Sequence, residues 1–200
     1  MIDKRLEENL RAQGYEVNVF ETADEAAEHI VSECAGKTVG IGGSMTVQEM
    51  GLFERLKECS DVVWHWYPEQ GQTQDDVRVL AMATEMYISS VNAVSKDGDM
   101  VNIDGTGNRL ASTLYGHKKV IFVIGNNKVT EDLDSAIYRA KNVAAPLNAK
   151  RLGAKTACAA AGRCFDCKGP ERICKATAII SGKPSGSQYE VVLVDAPLGF

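Results

Sequence analysis

The chain has 200 residues, 44% of them hydrophobic, and a formal net charge of −5. Its acidic and basic residues are interspersed, which argues against a nucleic-acid-binding face or a basic membrane-binding surface. No apolar run approaches the roughly 18–20 residues that cross a membrane, and no apolar signal region follows the charged N-terminus. We therefore expect a cytoplasmic globular protein that forms one domain over residues 1–200.

Helices alternate with short strands through the first half of the chain. Thr22, followed by Glu25 three residues later, is typical of a capping box at a helix start. The predicted elements are a helix over 2–13, a strand over 15–20, a helix over 22–34, a strand over 37–41, a helix over 46–59 broken near Gly51, a strand over 61–64 and a helix over 74–84.

The second half continues the alternation and adds a hairpin. The turn at 96–99 joins a strand over 91–94 to one over 100–103. The other predicted elements are a strand over 86–90, a fully apolar strand over 118–125, a helix over 130–142 that Thr130 caps, a helical piece over 146–153, and strands over 175–180 and 189–194. This order predicts an α/β fold with a largely parallel central sheet that helices cover on both faces.

Two glycine-rich turns follow predicted strands. Gly42-Gly43-Ser44 comes after the strand over 37–41, and Gly105-Thr106-Gly107 comes after the strand over 100–103. Ligands of open parallel sheets bind at the carboxyl ends of strands, and glycine turns expose backbone N–H groups that favour anions. If the two strands are close in the sheet, both turns line one pocket. The alternative is a pair of tight turns, with Asp104 or Thr106 as a helix cap.

The side chains near these turns suggest roles for an anionic ligand. Arg109 would pair with a carboxylate or phosphate, and the amides of 42–44 would hold another oxyanion. Asp104 and Glu49 are the candidate catalytic residues, acting on a hydroxyl or a proton, although Glu49 taken by itself is explained more simply as a solvated helix carboxylate. The predicted ligand-binding residues are Gly42, Gly43, Ser44, Gly105, Thr106, Gly107, Asn108 and Arg109.

Four cysteines crowd into a segment that we predict to be a loop, residues 154–176, named here the cysteine segment. They are Cys158, Cys164, Cys167 and Cys174. In a reducing cytosol such density favours metal or redox chemistry over structural disulfides. The C-x-x-C pair can place two thiolates on one ion, and the others can complete a zinc site or an iron–sulfur cluster. Redox-active thiols and a segment without metal are the alternatives, and the spacing leaves the metal's identity open.

Several blocks in order resemble the LUD domain family, the lactate-utilisation family. They are Gly-Gly-Ser-Met-Thr at 42–46 with Glu49 and Gly51, the segment 89–94, Asp-Gly-Thr-Gly-Asn-Arg at 104–109, and Gly-Asn-Asn-Lys at 125–128. The cysteine segment is similar to that of a subset of this family. The resemblance covers nearly the whole chain, and it adds Asn92, in the segment 89–94, to the predicted ligand-binding residues.

The resemblance implies a fold similar to the sugar-phosphate isomerase and CoA-transferase superfamily. It also implies involvement in oxidising lactate to pyruvate, alongside iron–sulfur partner proteins. Two further hypotheses stand beside a protein that binds a small anionic ligand. One is an electron-transfer or assembly subunit that carries an iron–sulfur cluster or zinc, and the other is a ligand-binding regulator without catalysis. The sequence leaves the substrate and any homo-oligomer undetermined.

Overall fold

A computed structural model describes residues 2–200 as two sheets with surrounding helices. The strands are β1 (Glu16–Phe20), β2 (Thr38–Ile41), β3 (Asp61–Trp64), β4 (Met86–Ser89), β5 (Ala93–Ser95), β6 (Met100–Asp104), β7 (Lys119–Gly125), β8 (Val129–Thr130), β9 (Ala176–Ile180) and β10 (Gln188–Val194). The α-helices are α1 (Lys4–Ala12), α2 (Ala23–Cys34), α3 (Met45–Glu49), α4 (Leu52–Lys57), α5 (Gln74–Ala81), α6 (Asn108–Leu114), α7 (Leu133–Arg139), α8 (Ala145–Arg151) and α9 (Ala157–Ala161).

The first sheet has six strands in the order β1-β10-β7-β4-β2-β3, and every neighbouring pair is parallel. Its central strands are apolar on both faces, as strands covered on both sides must be. In β7, Ile121 and Val123 pack with α2, α3 and α4, whereas Val120, Phe122 and Ile124 pack with α1 and the second sheet. The predicted parallel sheet with helices on both faces is therefore confirmed.

The second sheet has four strands in the order β8-β5-β6-β9. It contains the predicted hairpin, because Val94 pairs with Met100 in an antiparallel register between β5 and β6. The strand β9 pairs antiparallel with β6, and α7 packs on this sheet through Ala136. The strands β2 and β6, which precede the two glycine turns, thus belong to different sheets.

Some predicted elements differ from the structure in their ends. Thr130 lies in β8, and the cap of α7 is Asp132, whose carboxylate accepts the N–H of Ser135 at 2.8 Å. The two helices predicted after residue 130 form one continuous run, because a π-helical turn (Ala140–Ala144) joins α7 to α8. The cysteine segment is not entirely loop, since α9 lies within it. No helix among residues 2–200 is long and apolar enough to cross a membrane.

Candidate functional site

A cavity of about 520 Å³ lies between the ends of the two sheets. Gly43 and Ser44 reach it from the end of β2, and Ser90 reaches it from the end of β4. The turn after β6 contributes Gly105 on the opposite side. The two glycine turns therefore line one cavity although their strands are not in one sheet. The reason is that both strands end at the seam where the sheets meet.

Basic side chains dominate the lining of this cavity. Among its lining residues Asp104 is the one with a carboxylate side chain. The six basic side chains are Arg78, Arg109, Lys128, Arg151, Arg172 and Lys175. Because the whole chain has a net charge of −5, this local excess of positive charge is a property of the cavity and not of the protein as a whole. Such a cavity attracts anions.

Arg109 is held at the cavity by neutral acceptors. Its Nη1 donates to the carbonyl of Ser90 at 3.2 Å and to Oδ1 of Asn102 at 2.5 Å, and its Nη2 donates to the carbonyl of Ile103 at 2.6 Å. Burial lowers the pKa of this guanidinium, and the charge of Asp104 opposes that shift. Within residues 2–200 these three contacts use three of its five N–H groups, and the other two make no hydrogen bond there.

Lys128 follows β7 and has an almost fully buried side chain that nevertheless lines the cavity. Its Nζ lies 2.7 Å from Oγ1 of Thr46 and 2.8 Å from Oγ of Ser90. The pKa of this amine is lowered to about 7, chiefly by burial and also by the charges of Arg139 and Arg109, while Glu49 acts in the opposite direction. About half of the amine is therefore uncharged at neutral pH.

One wall of the cavity is aromatic. His65 is 7% exposed and faces Gly43, where an added Cβ would lie 3.5 Å from its Nε2. Trp66 stacks on Trp64 with ring centroids 4.7 Å apart, and the guanidinium of Arg151 lies 4.9 Å from the ring of Trp66. This wall therefore offers flat apolar surface next to a positive charge.

The two candidate catalytic carboxylates occupy different places. Asp104 lines the cavity, but its carboxylate also accepts the N–H groups of Thr106 at 3.2 Å and Leu110 at 3.3 Å. These two hydrogen bonds give Asp104 a structural role, because they stabilise the glycine turn and the first turn of α6. Glu49 is exposed on α3, does not line the cavity, and accepts the N–H of Gly199 at 2.6 Å. A catalytic role for either carboxylate stays a prediction.

The other predicted ligand-binding residues divide between lining and support. Those that line the cavity are Gly43, Ser44, Asn92, Gly105, Thr106 and Asn108. Gly42 lies behind it, where an added Cβ would be 3.2 Å from Cδ of Arg109. Gly107 begins α6 with φ of +95°, which only glycine adopts without strain. The helices α3 and α6 span only five and seven residues, so the cavity's positive potential comes chiefly from side chains.

The cysteine segment forms part of the cavity wall through residues 172–175. All four of its cysteines are free thiols, and Cys158 is buried on α9. Burial raises the pKa of Cys174, and the other three thiols act in the same direction, so the four share one neighbourhood. Within residues 2–200, however, no three histidine, cysteine or carboxylate side chains are arranged to hold a metal ion. The predicted metal ligands thus lack a preformed geometry.

Sequence reasoning missed several residues of the cavity. In the sequence Lys128 is only the last residue of the block at 125–128, and nothing in the sequence indicates that the hydroxyls of Thr46 and Ser90 contact it. The arginines at 78, 151 and 172 lie on three separate segments and meet only through the fold. Arginines that point to one ligand from distant segments leave no local pattern in a sequence.

Comparisons with known proteins identify a family and a fold. A family model described as the LUD domain matches residues 4–194. A solved DUF162 family protein from Deinococcus radiodurans is similar to this chain with a TM-score of 0.55, at 11% identity, over 96% of this chain and 94% of that one. A ribose 5-phosphate isomerase from Plasmodium falciparum matches over 54% of each chain at 14% identity, with a TM-score of 0.32. No curated protein matches the chain significantly.

Proposed function

Because the chain belongs to the LUD domain family, and is in that general sense a lactate-utilisation-type protein, we propose that it binds a small 2-hydroxy or 2-oxo acid, such as lactate or pyruvate, in the cavity between its sheets. The observation that carries the proposal is the lining of this cavity, which has six basic side chains and one carboxylate side chain. A carboxylate ligand would compensate the charge that the fold gathers there.

Arg109 is the residue to which we assign the ligand's carboxylate. Its existing partners are an amide oxygen and two backbone carbonyls, so among residues 2–200 its positive charge has no counter-ion in direct contact. Two of its N–H groups are free within residues 2–200, and an arginine binds a carboxylate with paired donors. Asn92, Thr106 and Asn108 supply polar groups nearby for the hydroxyl or keto oxygen.

Calorimetric titration with lactate and with pyruvate tests this assignment. Arg109→Gln is expected to weaken binding about 10- to 100-fold, because a charge-assisted hydrogen bond contributes roughly 1.5–3 kcal/mol. Arg55→Gln is the matched control, since Arg55 pairs with Asp24 at the surface. Equal affinity in the wild type and a folded Arg109→Gln variant would remove Arg109 from the site.

Arg109 also holds the turn after β6, so its variant can lose stability as well as affinity. Arg151→Gln provides a second test, because Arg151 lines the cavity. Among residues 2–200 its guanidinium donates hydrogen bonds only to Asn148 on the same helix. We expect weaker binding here too, together with a binding constant that falls as salt is added. Affinity that is independent of both Arg151 and salt would contradict an electrostatic site.

We propose as a second function that the cysteine segment binds zinc or an iron–sulfur cluster. Its support is the gathering of four free thiols around a fixed backbone, in which Arg172 donates to the carbonyls of Cys174 at 2.6 Å and Cys167 at 2.8 Å. The thiols would have to move together to share an ion. When bound, zinc would act as a structural clip and a cluster would carry electrons.

Metal analysis and an optical spectrum of anaerobically purified protein test this second proposal. Brown protein with iron and sulfide supports a cluster, and colourless protein with stoichiometric zinc supports a clip. Cys164→Ser and Cys167→Ser should each lose the metal, whereas Cys59→Ser, which changes an isolated cysteine, should keep it. Metal-free protein with fully reduced thiols would contradict both forms.

A further inference from the structure

Lys128 has an environment that is unusual for a lysine. Its side chain is 3% exposed, and its Nζ contacts two hydroxyls, Oγ1 of Thr46 and Oγ of Ser90, at 2.7 and 2.8 Å. Within residues 2–200, no carboxylate lies within 4 Å of this nitrogen. A buried ammonium without a counter-ion is costly, and it is normally paired or loses its proton.

The hydrogen-bond inventory around Nζ matches an uncharged amine. An ammonium has three N–H donors, whereas a neutral amine has two donors and a lone pair. The Thr46 hydroxyl has two acceptors for its own hydrogen, the carbonyl of Leu198 at 3.2 Å and Oγ of Ser90 at 3.3 Å, and the Ser90 hydroxyl can donate to the carbonyl of Val91 at 3.4 Å. Both hydroxyl oxygens are therefore placed to accept from Lys128, and two acceptors satisfy two N–H groups.

The charges around this amine are consistent with the same state. The cations Arg109 and Arg139 oppose a further positive charge at Nζ. The carboxylate of Glu49 favours such a charge, but it lies too far from Nζ to form an ion pair. The other basic residues of the cavity are held at its walls, and Lys128 is the one among them with a side chain this deeply buried. An uncharged primary amine is a nucleophile.

We propose that Lys128 is a nucleophile that forms an imine with the keto carbon of a 2-oxo acid bound in the cavity. This inference rests on the proposed function, since the acid's carboxylate would be held at Arg109.

The step balances without any further reactant. The Nζ lone pair attacks the keto carbon, and a carbinolamine forms. The two hydrogens of the amine then leave with the former keto oxygen as water, and a carbon–nitrogen double bond remains. The hydroxyls of Thr46 and Ser90 contact Nζ at hydrogen-bond distance, so they can pass these protons to the departing oxygen.

Reductive trapping tests the proposal without an activity assay. The full chain is incubated with pyruvate, reduced with sodium borohydride, and analysed by intact mass and peptide mapping. We expect about one reduced adduct per chain, on Lys128. Lactate, which has no keto group, should give none under the same treatment.

Two variants sharpen the result. Lys128→Met has a side chain of similar length and should lose the adduct, while Lys118→Arg changes an exposed lysine at the far end of β7 and should retain it. If Lys128→Met does not fold, the position of the adduct in the wild-type peptide map still decides. No adduct, or an adduct on another lysine, overturns the proposal.

The two proposals fail in distinguishable ways. Pyruvate binding seen by calorimetry without a trapped adduct refutes the imine and leaves the proposed function intact. Absence of both binding and adduct refutes both. An adduct that survives in Arg109→Gln at unchanged yield supports the imine and removes Arg109 from the carboxylate role.

Discussion

At the scale of single residues, burial decides the charge of the cavity's titratable groups. Burial lowers the pKa of His65 to about 4, and Arg78 acts in the same direction while Asp104 opposes it. The imidazole is therefore uncharged at neutral pH and cannot be a cation for the ligand. It can instead act as a neutral hydrogen-bonding group beside Gly43.

The shift of His65 predicts a pH dependence of stability. Its pKa falls from 6.5 to about 4 on folding, so between these values the unfolded chain binds a proton that the folded chain does not. Stability should therefore be complete above pH 6.5 and decline as the pH falls toward 4, by up to roughly 3 kcal/mol. Urea unfolding of His65→Gln across this range should show a smaller decline than the wild type.

His117 contributes to the slope that remains in that variant. Burial lowers its pKa as well, against a hydrogen bond to the carbonyl of Thr84. Identical slopes for the wild type and His65→Gln would mean that His65 keeps its ordinary pKa in the folded protein.

At the scale of elements, Gly40 and Gly43 are surrounded by different parts of the fold. In β2, Gly40 packs under α5, where an added Cβ would lie 2.6 Å from the carbonyl of Ala81 and 2.7 Å from Oγ1 of Thr84. Gly43 instead leaves room for His65 and Trp66 at the cavity. Gly40, which precedes the predicted oxyanion-binding turn over 42–44, thus makes a helix–strand contact, whereas Gly43 borders the cavity.

Gly40→Ala should destabilise the protein by roughly 1–3 kcal/mol, because the new methyl group overlaps a backbone carbonyl that cannot move freely. Gly182→Ala is the control, since an added Cβ there meets nothing within 4 Å, and we expect a change within about 0.5 kcal/mol. Thermal unfolding of both variants measures the difference. A Gly40→Ala variant as stable as the control would show that α5 shifts readily away from the sheet.

At the scale of the whole molecule, one partly buried charge cluster connects four elements at the opposite end of the sheet. Nζ of Lys119 on β7 lies 2.6 Å from Glu190 on β10, 2.9 Å from Glu33 on α2 and 3.2 Å from Glu16 on β1. Burial alone would raise the pKa of Glu190, but hydrogen bonds from Lys119, His29 and Asn18 lower it. The carboxylate is ionised because those partners surround it.

Lys119→Met should cost about 3–5 kcal/mol of stability, because it leaves a fully buried carboxylate without its cation. The double variant Lys119→Met with Glu190→Gln should recover much of that loss, since no buried charge is then unpaired. Urea unfolding at neutral pH measures both. Equal stability of the single and double variants would mean that Glu190 is not the charge that makes the substitution costly.

Much of this fold follows from the sequence because its signals are local. The alternation of strands and helices, the capping box of Thr22 with Glu25, and the break at Gly51 depend on neighbouring residues, and the structure has each of them. The glycine turns are local too, since positive φ or close backbone approach needs glycine at one position. The residues of both turns therefore entered the candidate site without knowledge of the tertiary structure.

The tertiary structure alone decided how these parts meet. The last strand, β10, inserts between β1 and β7, and β2 and β6 belong to separate sheets. Neither arrangement follows from hydrophobic periodicity, because that pattern shows which face of a strand is apolar but not which strand pairs with it. Lys128 gives the same lesson, because its character depends on Thr46 and Ser90, 82 and 38 residues away in the chain. Sequence specifies a residue's chemistry, but burial and distant partners set its charge.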